Sequence, residues 1–508
     1  MVAHLRLSEE NRRWWTLAAM CFALFMVMLD NTVVNVALPT IQHELHASIS
    51  ALEWTVNAYT LTFAVLLVTG GRLGDLFGRR KVFLIGVVIF ATSSAAIGFS
   101  PDDTWLVIGR ALQGAGAALM MPGTLSIISN TFPPEQRGMA IGTWAGVSAL
   151  ALAAGPVLGG FMVEHVSWQS VFFLNVPVAI GCVIVTLFAT RESRDETVEQ
   201  TVDYAGIFTL TIGLGSLVLA LVEANDWGWG SPQIIALLLT AVVGLGAFYY
   251  VERHGRAPMV DFTFFRSRSY LGTNTVAFIV SFSMLAMFFF IALYLQNIQG
   301  YSPLEAGVRF LPSTLVLIVM GPIAGRLSDR IGPRTPMTIG LLLTATALLM
   351  QSFLEVDTGY GYLAASFVLM GLGMGLVMSP MSTAAMNAVD KSKAGVASGI
   401  LSMSRMVGGT FGVAALGALV AAVGRSDLEA KLPNVPAAAR DKLAENLGVV
   451  PPGNLPATVA DASREAFVHA LQIGLRVGAT VAFVGAMVAW RLVQSRAVAA
   501  AQPVPVEA

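Results

Sequence analysis

The sequence predicts an all-helical integral membrane protein, with two six-helix bundles and an inserted pair giving fourteen transmembrane helices in total. Three observations carry that expectation. The 508-residue chain is 55% hydrophobic and 12% charged, with a mean hydropathy of +0.71, too apolar for a soluble chain of this length. A charged stretch between two hydrophobic runs, GRLGDLFGRRK at 71–81, returns as GRLSDRIGPR at 325–334, an offset of 254 residues. Lysine and arginine are partitioned: 21 of the 30 fall in the tails and alternate loops, and the short loops between hold none.

A spanning helix needs about 20 mostly apolar residues. The first bundle reads as Trp14–Leu38, Trp54–Gly70, Val82–Phe99, Thr104–Ser129, Met139–Met162 and Trp168–Ala189. Spans seven and eight follow at Asp203–Val222 and Gln233–Val251. The second bundle reads as Tyr270–Gln296, Pro303–Gly325, Pro336–Leu354, Tyr360–Met381, Gly395–Val423 and Ala470–Arg491. Gly138 and Gly142 match Gly395 and Gly399 at an offset of 257, and Pro122 matches Pro380 at 258, so spans one to six correspond to nine to fourteen. The expected organisation is therefore a bundle over 1–190, a linker with two inserted helices over 191–269, a second bundle over 270–491 and a tail over 492–508. An extracytoplasmic loop at 424–469 contains KLPNVPAAARDKLAENLG, which reads as short amphipathic helices broken by prolines, either a lid or a spacer. An even number of spans puts both termini on one side, and the lysine and arginine bias makes it the cytoplasmic one.

Composition also excludes function classes. A net charge of -1 argues against a nucleic-acid partner. Cys21 and Cys182 lie in apolar runs without disulfide or metal-site spacing and read as packing residues. The apolar run after Arg12 and Arg13 is too long for a signal-peptide core and reads as a retained helix. No glycine is followed by lysine, so no phosphate-binding loop is present and ATP is not expected to drive a cycle. GLGMG at 371–375 reads as helix packing, and neither a nucleophile elbow nor a HExxH motif occurs, so an enzyme is not expected.

The residues that carry chemistry lie inside the spans. Asp30 is the only carboxylate deep in any of them, because Glu53, Glu223 and Glu305 fall at outer ends. Its burial costs roughly 2.5 to 3.5 kcal/mol on insertion scales, which points to function; a structural role satisfied by Asn31, Asn35 or an arginine is the alternative. Arg110 lies about 9 Å from the outer end of span four and Asp30 about 12 Å from that of span one, at 1.5 Å per residue, so the two charges are placed to meet. Arg405 lies about 15 Å into span thirteen with no deep acid in its half, which leaves substrate or backbone carbonyls as its partners. Span nine, FSMLAMFFFIALYLQN, offers an adaptable Met and Phe surface or a lipid-facing stripe, with Tyr294 suited to an outer vestibule. Asn31, Asn35, Gln113, Phe288, Tyr294 and Arg405 are the candidate cavity residues.

The loop at Gly71, Leu73, Asp75, Gly78, Arg79 and Arg80 resembles the cytoplasmic signature of the major facilitator superfamily. LDNTVVNVALPTI at 29–41, IGRALQGAGAALMMP around Arg110, and GVSALALAAGPVLGG at 146–160 resemble its fourteen-helix drug:proton antiporter branch. Leu76 departs from the signature where the family has arginine, which Arg330 retains in the second copy. The resemblance implies a major facilitator fold and proton-coupled export of lipophilic drugs, dyes or antibiotics by alternating access, with no cofactor beyond the proton gradient. It implies proton coupling through Asp30 and Arg110. Asp75 and Asp329, with Arg330, would form a latch against the starts of spans thirteen and five, Arg79 and Arg80 anchoring it at the membrane surface. Gly146, Gly155, Pro156, Gly159 and Gly160 correspond to the antiporter motif, from which span five is expected to pack on span thirteen. WQSVFFLNVP at 168–177 also fits the branch, without a mechanistic role. With one deep acid against two arginines, neutral, singly charged or anionic compounds suit such a cavity better than dications. The expected setting is a bacterial cytoplasmic membrane, as a lipid-embedded monomer, with a periplasmic adaptor left open. A dedicated exporter of an endogenous lipid or secondary metabolite is the main rival, and a passive channel a weaker one.

Overall fold

The computed structural model describes residues 8–45, 47, 49–195, 201–255, 258–445, 447 and 456–495. The expected tail from residue 496 onward and most of 446–455 in the outer loop lie outside the described residues. Among the described residues all regular structure is helical. The first half comprises α1 (Glu9–Leu45), α2 (Ile49–Phe77), α3 (Arg79–Gly98), α4 (Asp103–Thr131), α5 (Pro134–His165), α6 (Trp168–Phe173) and α7 (Asn175–Ala189). The inserted pair is α8 (Tyr204–Trp227) and α9 (Pro232–His254). The second half comprises α10 (Arg268–Leu293), α11 (Pro303–Arg309), α12 (Leu311–Ile331), α13 (Arg334–Gln351), α14 (Tyr360–Asn387), α15 (Ala394–Lys431), α16 (Ala437–Glu445) and α17 (Ala457–Leu492). Every expected span overlaps one of these helices or an adjoining pair, and twelve helical stretches among the described residues are long and apolar enough to cross a membrane.

The repeat is visible in the backbone. Gly78 and Gly332, 254 residues apart, both break a helix with positive φ, 110° and 85°, a region where a side chain would clash with the backbone. The expected charged loop is in fact a single residue: α2 runs to Phe77 and α3 starts at Arg79, so the signature is helical on both sides of Gly78.

Two seams join the halves, α2 against α15 and α5 against α12. This corrects the expectation that span five packs on span thirteen. The seams are pseudo-symmetric and glycine-lined: a Cβ on Gly71 would strike the Gly395 carbonyl, and one on Gly142 would strike that of Gly321. Such small-residue contacts let two backbones approach without hydrophobic drive in a lipid solvent. Beside the seams, toward the arginine-rich end, the Ser398 hydroxyl of α15 donates to the Pro122 carbonyl of α4 (2.7 Å) and that of Ser379 of α14 to the Gly138 carbonyl of α5 (2.9 Å).

The inserted pair breaks the symmetry. α8 packs on α2 and α15, covering one seam, and α9 packs outside α8 through Gly213 and Gly244. At the opposite end α15 and α17 extend beyond their expected spans. They are joined there by Lys431 with Glu465 and by His469 with Asp427 (2.6 Å). α16 lies against α15 through an Arg425–Asp441 ion pair (2.9 Å), and Leu447 is buried against Gly424. Much of the expected loop is therefore helix.

Candidate functional site

Asp30 sits midway along α1 with 2% exposure, and Arg110 on α4 with 1%. A guanidinium nitrogen of Arg110 reaches Asp30 Oδ2 at 2.5 Å. Gln113, one turn further along α4, donates to Asp30 Oδ1 at 2.8 Å and accepts from Arg110 at 2.7 Å. Asn175, the first residue of α7, donates to the same Oδ1 at 3.0 Å and to Ser94 Oγ at 3.0 Å. Arg110 Nε donates to the Thr55 carbonyl at 3.0 Å, and the guanidinium lies 4.3 Å over the Tyr59 ring. Helices α4 and α7 thus meet on the carboxylate of α1, and α2 and α3 join them through Arg110 and Asn175. Every direct partner of that carboxylate is itself buried, so charge and hydrogen-bond balance hold only while all members stay in place.

Gln113, expected to line a cavity, is fully buried in this network instead. Asn31 and Asn35 do not touch Asp30: their amides donate to the Val27 and Asn31 carbonyls at 3.1 and 2.9 Å, with Asn31 half-buried and Asn35 exposed. Tyr294 is not a vestibule residue. It is buried, donating to the Glu355 carbonyl at 2.5 Å and accepting from Gln299 at 2.8 Å. Phe288 is half-buried, its ring 5.1 Å from Phe310, which is 5.0 Å from Phe367. Arg405 on α15 is half-buried; its Nε is shielded from solvent and has no hydrogen-bond partner among the described residues.

Asn175, Thr55, Tyr59 and Ser94 are the site residues that sequence reasoning passed over. Asn175 belongs to WQSVFFLNVP, and the fold supplies the account that motif lacked. Trp168 donates to Glu44 at 3.0 Å, the Phe172 carbonyl accepts from Ser94 at 2.8 Å, and Pro177 lacks the N–H that would reach Phe173. The break between α6 and α7 is thereby held, and the start of α7 is aimed at Asp30.

The signature residues form a second cluster at the arginine-rich end. Asp75 is fully buried and accepts from the first backbone amides of α15, Gly395 (2.9 Å) and Val396 (2.8 Å), where the helix dipole favours an anion. Arg79 bonds Asp75 at 2.8 and 2.7 Å and donates to the Lys391 and Ser392 carbonyls at 2.8 and 2.6 Å. At 1% exposure Arg79 is part of the buried lock, not an anchor at the membrane surface. Arg80 lies outside it, donating to the Leu187 carbonyl at 3.3 Å. Leu73 is half-buried and Leu76 fully buried, so nothing polar replaces the missing arginine. In the second copy Asp329 accepts from Gly138 (3.1 Å) and Met139 (3.3 Å) at the start of α5, Arg137 bonds Asn387, and Arg330 is exposed.

The glycine motif serves two neighbours. Gly146 lies against Ile318 of α12, whereas Gly155 and Gly159 lie against Thr32 and Val33 of α1, just beyond Asp30. Gly160 has open space, and the ring of Pro156 lies outside the described residues. Among the described residues no three His, Cys, Asp or Glu side chains gather as metal ligands would.

The sequence profile of the Major Facilitator Superfamily matches residues 20–413, more than three quarters of the chain. The chain is a major facilitator. Among relatives of this transporter, the tetracenomycin C resistance and export protein of Streptomyces glaucescens is 40% identical over 96% of this chain and 93% of its own. The multidrug resistance protein Stp of Mycobacterium tuberculosis is 35% identical over 94% and 91%. A puromycin resistance protein of Streptomyces alboniger is 34% identical over 97% and 93%. In fold the facilitator is similar to the proton:xylose symporter XylE, with a TM-score of 0.63, 13% identity and coverage of 96% and 97%. The human organic anion transporter TETRAN gives 0.63, 14%, 94% and 99%. The chain is thus a multi-pass transporter of this superfamily, and these bacterial relatives are named for antibiotic resistance or export.

Proposed function

We propose that this transporter is a proton-coupled antiporter that exports lipophilic drugs, dyes or antibiotics across a bacterial cytoplasmic membrane by alternating access, acting as a monomer. The observation that carries the reading is the sealed Asp30–Arg110–Gln113–Asn175 network, a buried carboxylate placed where movement of α1 against α4 changes its solvation. The arginine-rich end is read as cytoplasmic, and the state described is closed there by the Asp75 and Asp329 locks. In this cycle a proton taken up by Asp30 from the outer side loosens the Arg110 pair and favours substrate release. Opening of the cytoplasmic seams then returns the proton inward and resets the pair.

The test is ethidium efflux from energised cells expressing wild type or Asp30→Asn at equal levels, with and without a protonophore. Gradient-dependent efflux that disappears in a folded Asp30→Asn protein is the expected result. Normal pumping by the variant would make Asp30 structural and end this mechanism. The tetracenomycin relative, whose name joins resistance to export of one compound, favours a second reading as a dedicated exporter of an endogenous product. Accumulation of a single native compound on deletion, without resistance to unrelated drugs, would select it.

A further inference from the structure

Arg110 is fully committed: carboxylate, amide oxygen, backbone carbonyl and aromatic ring take up its guanidinium. The Asp30–Arg110 pair is therefore neutral. Arg405 is not committed. Among the described residues no carboxylate, carbonyl, hydroxyl or amide oxygen hydrogen-bonds it, and its Nε is shielded from water without a partner. Backbone carbonyls, one of two partners the sequence allowed, are thus not used.

The direction in which Arg405 projects follows from the contacts of α15. Gly408 and Gly412 lie against Phe278 and Phe282 of α10, and Ser404 donates to Asn274 of the same helix (3.2 Å). Gly395 and Gly399 lie against α2. Ser398, whose hydroxyl reaches Pro122 of α4, is seven residues before Arg405 and shares its helix face. Gly412, seven residues after Arg405, shares that face too, so Arg405 stands between the contact of α15 with α4, two turns before it, and the contact with α10, two turns after it. Between those two contacts, mid-way along a helix long enough to span, Arg405 is half-buried. Phe278 and Phe282 lie against Gly408 and Gly412, about one and two turns beyond Arg405, and each ring is 6.0 Å from that of Phe411.

An unpaired guanidinium within a membrane is costly, and it is kept where something pairs with it. The fork of donors matches a planar anionic oxygen pair better than a point charge, and the phenylalanines one to two turns beyond suit a flat apolar body. We infer that Arg405 is the subsite for the acidic group of the substrate, and that the transporter takes lipophilic organic anions, with a carboxylate or acidic phenol on an aromatic body. Its direction of movement rests on the efflux reading above; its binding does not.

Binding of 9-anthracenecarboxylate and of its uncharged methyl ester to the purified full-length protein in lipid nanodiscs tests the inference, read by fluorescence polarisation. Wild type is expected to prefer the acid by about ten-fold or more, equivalent to about 1.4 kcal/mol, and Arg405→Gln to bring the ratio to about one. Arg405→Met reads the same ratio should the glutamine variant misfold, and, having lost only an unpaired charge, it is expected to melt no lower than wild type. A wild type that does not distinguish acid from ester overturns the inference. So does a glutamine or methionine variant that keeps the preference, or a methionine variant that melts several degrees lower. If the preference is present and lost as expected but energised vesicles pump neither compound, the subsite stands and the efflux reading falls.

Discussion

At the scale of single residues, the site is a problem in keeping one carboxylate satisfied. Asp30 has three side-chain donors from two helices, and a hydrogen bond to a charged group is worth about 1.5 to 3 kcal/mol. Asn175→Ala is therefore expected to reduce gradient-dependent ethidium efflux about ten-fold while the protein still reaches the membrane; unchanged efflux at equal expression would remove Asn175 from the machinery. The Asp30–Arg110 pairing was legible in the sequence because a deep charge is rare and helix rise fixes its depth. Asn175 was not, because an asparagine in an apolar span has many ways to satisfy itself, and its partner is set by the α6–α7 break. Tyr294 and Gln113 misled for the same reason: a polar tip in an apolar helix says that a partner exists, not whether the partner is protein or substrate.

Between helices, the two locks turn on helix starts. Asp75 holds α15 by two backbone amides, and Arg79 ties the preceding carbonyls, so Asp75→Ala leaves buried donors unpaired. That variant is expected to expose Ala397, buried in this state, to thiol reagents from the arginine-rich end. With Ala397→Cys in a background lacking Cys21 and Cys182, faster maleimide labelling in inverted vesicles checks it. A surface tie supports the same helix start: Lys393 meets Asp261 at 2.7 Å, between α9 and α10. Partial burial alone would raise the Asp261 carboxyl, but the hydrogen bonds from Lys393 and Thr263 outweigh it and hold the group below the usual carboxylate range. A depressed folded pKa means stability present above the unfolded value of about 3.9 and lost as pH falls through the folded one. Asp261→Asn is thus expected to melt slightly lower than wild type at pH 7, by less than ~1 kcal/mol, with the difference shrinking toward pH 3. The repeat in the sequence located both locks, since matching motifs imply matching contacts. The partners of α5 were misassigned because small residues announce a close approach without naming the neighbour: Gly146 meets α12 and Gly155 meets α1.

For the molecule as a whole, alternating access requires both seams to part at the arginine-rich end. Arg137 of α5 and Asn387 of α14 meet beside the α5–α12 seam, across the two halves. Cysteines at these two positions are expected, on oxidation, to abolish efflux, with recovery after reduction; continued pumping by the cross-linked protein would mean that this seam does not open. Overall architecture was the most legible level of all, because hydropathy, the internal repeat and the lysine and arginine bias are separate signals that agree. The outer extension was less so: prolines marked its breaks, but α15 and α17 continue past the expected spans because ion pairs between them sustain helix beyond the apolar stretch.

The inserted pair gives the two seams different surroundings. α8 and α9 stand over the α2–α15 seam, while no inserted helix covers the one between α5 and α12. A compound dissolved in the bilayer, diffusing sideways along the protein, meets the inserted helices on one flank and the packed α5–α12 seam itself on the other. The pseudo-twofold that builds the fold is thereby lost to the surrounding lipid.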